Sequence, residues 1–277
     1  MRKLLTLALF CLVGTAGFAS VALVQSNAGG FISSFGSTTT TFTTSAVGFS
    51  SPTTPGSLLV CVGWISIQGT STTPFAGVGF SNPCLTSGFT WTAAHGGFGW
   101  EVAQTGPDRL EGLFLVSYIP NASVMSGTTT LTASVTNNSG STYNIEVEFS
   151  LYEFSGLAVS PFERNVLAQT TPLGSASQNS TPNPGNVTAN SAGDLIFVAY
   201  TAGATGSNGT AGAAYTLGVS ATVATIGQAQ YNLSASAGSQ ATSFGTNSLP
   251  NWGAMATVFA IAPPPSSSVP RHRGFVN

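Results

Sequence analysis

Short apolar or alternating runs separated by turn residues make up the whole chain. Nowhere does the spacing i, i+3, i+4, i+7 of a long amphipathic helix persist. The runs are β-branched, aromatic or strictly alternating, which predicts strands. They fall at Ala22–Gln25, Thr41–Gly48, Leu58–Ile65, Thr90–Ala94, Leu113–Tyr118 and Thr128–Thr136. Further along, Asn144–Phe154, Asp194–Thr201, Tyr215–Ser220, Gln228–Leu233, Gln240–Phe244 and Met255–Ile261 follow the same pattern. That many short strands with regular turn signals predicts an all-β sandwich or barrel.

The pattern also repeats. "PGSLLVCVGW" (55–64) matches "AGDLIFVAYT" (192–201), and "GFTWTAA" (88–94) matches "AAYTLGV" (213–219). "GTTTLTASV" (127–135) then matches "GSQATSFGT" (238–246), and "YNIEVEFSLYEFSG" (143–156) matches "NWGAMATVFAIAP" (251–263). Each match is weak, but the order is the same in both halves, which predicts an internal duplication. The first half, 20–169, then carries longer connections than the second, 194–262. Long loops on a rigid β scaffold are where binding usually lies. Residues 170–193, rich in Pro, Ser and Asn, read as a linker or crossover, and 263–277 as a disordered Pro/Ser tail.

The first nineteen residues change the expected compartment. Arg2 and Lys3 precede an apolar run, Leu4 to Val13, and small residues surround Ala19. This is the pattern of a secretory signal peptide cut after Ala19, with an apolar run too short to span a bilayer. The expected location is extracellular or periplasmic, without stable membrane insertion.

Composition fits that setting. Charged residues are 5% of the chain, against roughly 25% in ordinary globular proteins. Beyond Ala19 the cations are Arg109, Arg164, Arg271 and Arg273, with no lysine. No basic field is available to hold nucleic acid or an anionic membrane. Ser, Thr, Gly and Asn solvate the surface instead. Cys61 and Cys84 are a possible disulfide in an oxidising compartment, with a buried Cys61 thiol as the alternative. No Cys/His spacing resembles a metal site, and no motif calls for a cofactor.

Two stretches hold candidate chemistry. In 143–156, alternation puts Ile145, Val147, Phe149 and Leu151 on one face and Glu146, Glu148, Ser150 and Tyr152 on the other. The apolar set is expected inside, leaving Glu146 and Glu148 outside. Their spacing resembles the Glu-x-Asp-x-x-Glu strand of laminarinase-type jelly-roll hydrolases, although the middle residue is Glu and the last acid lies further along. Glu153 falls on the apolar side and is expected to be a structural polar anchor, held by a backbone N–H or by an arginine, for which Arg164 and Arg109 are the plausible choices. The second stretch, 88–112, holds Trp91, Trp100, Glu101, Asp108, Arg109 and Glu111. Aromatic faces beside Asp, Glu or Arg suit sugar binding, and core filling is the competing reading. His95 has no G-x-S-x-G elbow to serve.

The series "LVQSN…SLLVCVGW…GFTW…LFLVSYIPNAS…GTTTLTASV…YNIEVEFSLYEFSGL…PFERN" resembles secreted bacterial β-sandwich proteins. That resemblance implies a concanavalin A-like or jelly-roll sandwich and implies no activity. The expectation is an all-β, antiparallel, duplicated β-sandwich with no catalytic residues. It would bind polysaccharide or cell-surface glycan, or act as an extracellular structural or adhesive protein. The alternatives are a glycoside hydrolase using Glu146, Glu148 or Glu153, and a self-assembling fibre or capsid-like subunit.

Overall fold

The computed structural model describes residues 20–35, 38–69, 78–80, 91–94, 98–103, 109–130, 132–137, 142–169, 179–202, 209–219, 227–245, 249–250 and 252–264. In chain order the strands begin with β1 (Ala22–Phe35), β2 (Thr38–Thr43), β3 (Val47–Gly48), β4 (Ser57–Gly69) and β5 (Val78–Phe80). Next come β6 (Thr92–Ala93), β7 (Phe98–Ala103), β8 (Arg109–Ala122), β9 (Thr128–Thr129), β10 (Thr132–Asn137) and β11 (Tyr143–Ser155). The second part holds β12 (Leu157–Gln169), β13 (Asn179–Ser180), β14 (Val187–Ala189), β15 (Leu195–Ala202) and β16 (Thr216–Leu217). It ends with β17 (Gly227–Asn232), β18 (Gly238–Gln240), β19 (Leu249–Pro250) and β20 (Trp252–Ile261). The described residues contain no helix and every pairing is antiparallel, so the fold is all-β.

Two large sheets dominate. The first runs β1-β11-β4-β8, with β6 and β7 both along the outer edge of β8. The second runs β12-β20-β15-β17-β16. Smaller pairings, β2-β10-β5, β3-β9, β13-β19 and β14-β18, accompany them. The division falls just after β11, at Gly156. Leu157–Gln169, assigned to the first half by sequence, pairs with β20 in the second sheet.

One apolar core joins the two large sheets. Val60, Val62, Trp64, Tyr152 and Phe154 of the first meet Phe197, Ala199, Tyr231, Met255 and Phe259 of the second. Burial of this much apolar surface is the main stabilising term. Packing is close where Trp64 donates its indole N–H to the Tyr200 carbonyl at 2.8 Å. A Cβ at Gly227 would lie 2.1 Å from that indole nitrogen, so only glycine fits. The far face of the second sheet is covered as well. Ile196, Val198, Tyr200, Ala254 and Ala256 pack there with Val187, Ala189 and Phe244. A strand buried on both faces needs no alternation, hence the unbroken run "LIFVAYTA" in β15.

The same fact overturns one expectation. Alternation along β11 holds, but the side bearing Glu148, Ser150 and Tyr152 faces the second sheet instead of solvent. Glu148 is 0% exposed, and Ser150 and Tyr152 are buried with it. Both hydroxyls donate to the Val219 carbonyl, at 2.9 and 3.0 Å. The apolar side, Ile145 to Leu151, is buried too. With both faces covered, polarity alone does not identify the outer one.

Candidate functional site

Beyond Trp64, β4 continues to Gly69 and pairs there with β11 and β8. The register across this end of the first sheet is continuous. Glu146 pairs with Ser66, Ser66 with Gly112, and Gly112 with Trp100. Alternation places this row on the face that carries Trp64, Val116 and Tyr152, the face turned toward the second sheet. Gly112 leaves the row without a side chain between positions 66 and 100.

Glu146 is half-buried, and its Oε2 has no hydrogen-bond partner. Burial holds its carboxyl above the ordinary carboxylate range. Glu148, one step inward on the same face, is fully enclosed. Strand geometry sets the two residues roughly 6.6 Å apart along β11.

The six candidate binding residues do not converge. Trp100 lies in the row with Glu146. Glu101 pairs directly with Glu111, and Ala103 with Arg109, so those charged positions share the opposite face of the β7–β8 hairpin. Trp91, 7% exposed, is part of the core. Asp108 lies outside the described residues.

Glu153 occupies a different place, at the end of β11. It is fully buried and accepts hydrogen bonds from Thr54 N (2.6 Å), Ser57 Oγ (2.9 Å) and Gln25 Nε2 (2.5 Å). Arg164 is not among these partners, correcting that expectation; it donates to Asn190 Oδ1 at 2.6 Å. The other expected kind of partner, a backbone N–H, is present in Thr54, and with the Ser57 hydroxyl and the Gln25 amide it satisfies the carboxylate. Cys61 is buried and disulfide-bonded, and Cys84 lies outside the described residues.

Sequence reading missed Ser66 and Gly112, whose significance arises only from cross-strand register. It also missed Asp194, fully buried, which accepts from Ser191 N (2.8 Å) and Ile261 N (3.0 Å). Its position between a glycine and an apolar run was the available signal. Among the described residues no group of His, Cys, Asp and Glu is placed to hold a metal ion. No helix there is long and apolar enough to cross a membrane. Comparison with protein families, with curated proteins and with solved structures finds no match.

Proposed function

We propose that the chain is a secreted, non-catalytic glycan-binding protein made of two jelly-roll units, with its ligand at the end of the first sheet that holds Glu146 and Trp100. Strand order supports the duplication. Numbered among its own large-sheet strands, with the edge strand β7 set aside, each large sheet runs first, fifth, second, fourth, third: β1-β11-β4-β8-β6 and β12-β20-β15-β17-β16. The small pairings correspond as well, β2-β10 to β13-β19 and β3-β9 to β14-β18. Gly56 and Gly193, each two residues before Leu58 or Leu195, both have positive φ, +85° and +94°. Such a turn favours glycine.

The observation that carries the binding reading is the row Glu146–Ser66–Gly112–Trp100. It sets an aromatic position, a gap, a hydroxyl position and a partly desolvated carboxylate across one sheet face. An aromatic platform with a few hydrogen-bonding groups is the chemistry that holds a sugar ring. Nearer the middle of the first sheet, the same face is occupied by the chain's own core, with Trp64, Val116 and Tyr152. Affinity electrophoresis against neutral polysaccharides tests the reading: Trp100→Ala abolishes the retardation that the intact protein shows. Equal retardation of both would reject it.

One observation favours a second reading, glycoside hydrolysis. Glu146 and Glu148 share a face, and burial raises the Glu146 carboxyl in the sense a general acid requires. Release of reducing ends from a polysaccharide, lost in Glu146→Gln, would establish that reading.

A further inference from the structure

A strand at the edge of a sheet carries a row of backbone N–H and C=O groups without a ladder partner. Proteins blunt such edges with proline, charge, bulges or shortness. In the second sheet, β12 carries Pro161, Glu163, Arg164 and two register shifts, and β16 is two residues long. On the β8 side of the first sheet, β6 is two residues long and β7 is six, with Glu101 among them. The remaining edge is β1. Its 14 residues include no proline and no charged side chain. After one register shift, between Leu23 and Gln25, it pairs with β11 without a break to Phe35. Among the described residues no strand pairs with its other side.

The local detail fits an open, preformed edge. None of Leu23–Gly29 is buried, whereas their register partners on β11, Phe149 to Phe154, all are. Ala28 donates its backbone N–H to the Asn27 side-chain carbonyl at 2.9 Å, so β11 does not engage it. Alternation then turns the N–H and C=O groups of Ser26, Ala28 and Gly30 outward. Loop residues brace the strand: Asn27 donates to the Gly48 carbonyl at 2.6 Å, and Gln25 to that of Ser51 at 3.0 Å. Exposed apolar side chains gather on the same side. Val24, on β1, is 44% exposed, and Leu217 and Val219, in and just after β16, are 36% exposed. The Val219 carbonyl accepts from Ser150, whose register partner is Ala28, so this segment lies beside β1.

We propose that β1 is the interface of a two-fold dimer: a second copy of the chain adds its own β1 antiparallel to the first, and the two first sheets join into one. A charge-free strand does not repel its own copy, and it offers no charged group to select a different protein. The two-fold axis lets each copy satisfy the other's edge, with about ten backbone hydrogen bonds over the stretch from Gln25 to Phe35. Such a contact closes on itself, so assembly stops at the dimer. The inference is independent of the glycan-binding reading.

The test is sedimentation velocity of the full chain over a dilution series from about 100 µM to about 1 µM. The intact protein is expected to be dimeric at the upper end. Val24→Lys, which sets a solvated charge on the edge of each copy, should weaken association at least about tenfold. Ala28→Pro removes an outward N–H, a change an edge strand tolerates, and should leave a monomer. Thermal melting of both variants separates a lost interface from a lost fold, and Val24→Lys, at an exposed position, carries the test if Ala28→Pro does not fold. An intact protein that is monomeric throughout overturns the dimer and leaves the edge to a different extended partner. Folded variants that dimerise like the parent overturn the assignment to β1. Oligomers that keep growing with concentration overturn the two-fold closure.

Discussion

The corner where the last strand of each large sheet ends beside its second strand is built twice, with the acid on opposite sides. In the first sheet Glu153, near the end of β11, reaches across to Thr54 N ahead of β4 and to Ser57 Oγ at its start. In the second sheet the acid is Asp194, immediately before β15, and it reaches across to Ile261 N at the end of β20. Register makes Leu58 equivalent to Leu195 and Phe154 to Phe259. Ser57 is therefore the counterpart of Asp194, and Thr54 of Ser191, whose N–H Asp194 accepts. Each corner places a buried carboxylate as acceptor for partly buried backbone N–H groups. Either strand supplies it.

The largest expected effect breaks the first corner. Glu153→Ala removes a buried acceptor of three hydrogen bonds and should cost about 3 kcal/mol in urea unfolding. Adding Ser57→Asp to that variant should recover about half the loss, because an Asp there accepts from Thr54 N as Asp194 does from Ser191 N. No recovery would show that the two corners are not equivalent. Asp194→Ala, which strands two backbone donors, should cost about 2 kcal/mol.

Gly227→Ala probes the contact between the sheets. Its added methyl must displace Trp64, and a loss of about 2 kcal/mol is expected from overpacking. Tyr152→Phe, which removes only the hydrogen bond to the Val219 carbonyl, should cost about 1 kcal/mol.

The smallest effect is in pH dependence. Burial raises the Glu146 carboxyl in the folded chain, so the folded state favours the protonated form. Its contribution to stability is present below the ordinary value of 4.5 and is lost as pH rises through the higher folded value. Glu146→Gln should therefore stabilise the protein slightly at pH 7 relative to the parent and flatten the decline that begins near pH 4.5. A steeper decline in the variant would contradict the burial of Glu146.

Strands whose apolar runs are continuous, β4 and β15, were legible in the sequence, as was much of β11. Two were not. β12 contains Pro161 and two register shifts, between Leu157 and Phe162 and between Phe162 and Arg164, which erase its alternation. β7 lies among glycines that read as turn. The polarity of β11 was legible, but its outer face was not, because a second sheet covers the side bearing Glu148. At the candidate site Trp100 and Glu146 were each conspicuous. That they share one row depends on β4 and β8 lying between them, a relation between residues far apart in the chain.

Binding and hydrolysis at the Glu146–Trp100 row separate most directly when retardation and reducing-end release are measured together on the same polysaccharide. The intact protein should be retarded without releasing new reducing ends, Trp100→Ala should migrate freely, and Glu146→Gln should still release none. Reducing ends that appear with the intact protein and vanish in Glu146→Gln would contradict the non-catalytic reading, and free migration of the intact protein on every polymer would contradict glycan binding itself.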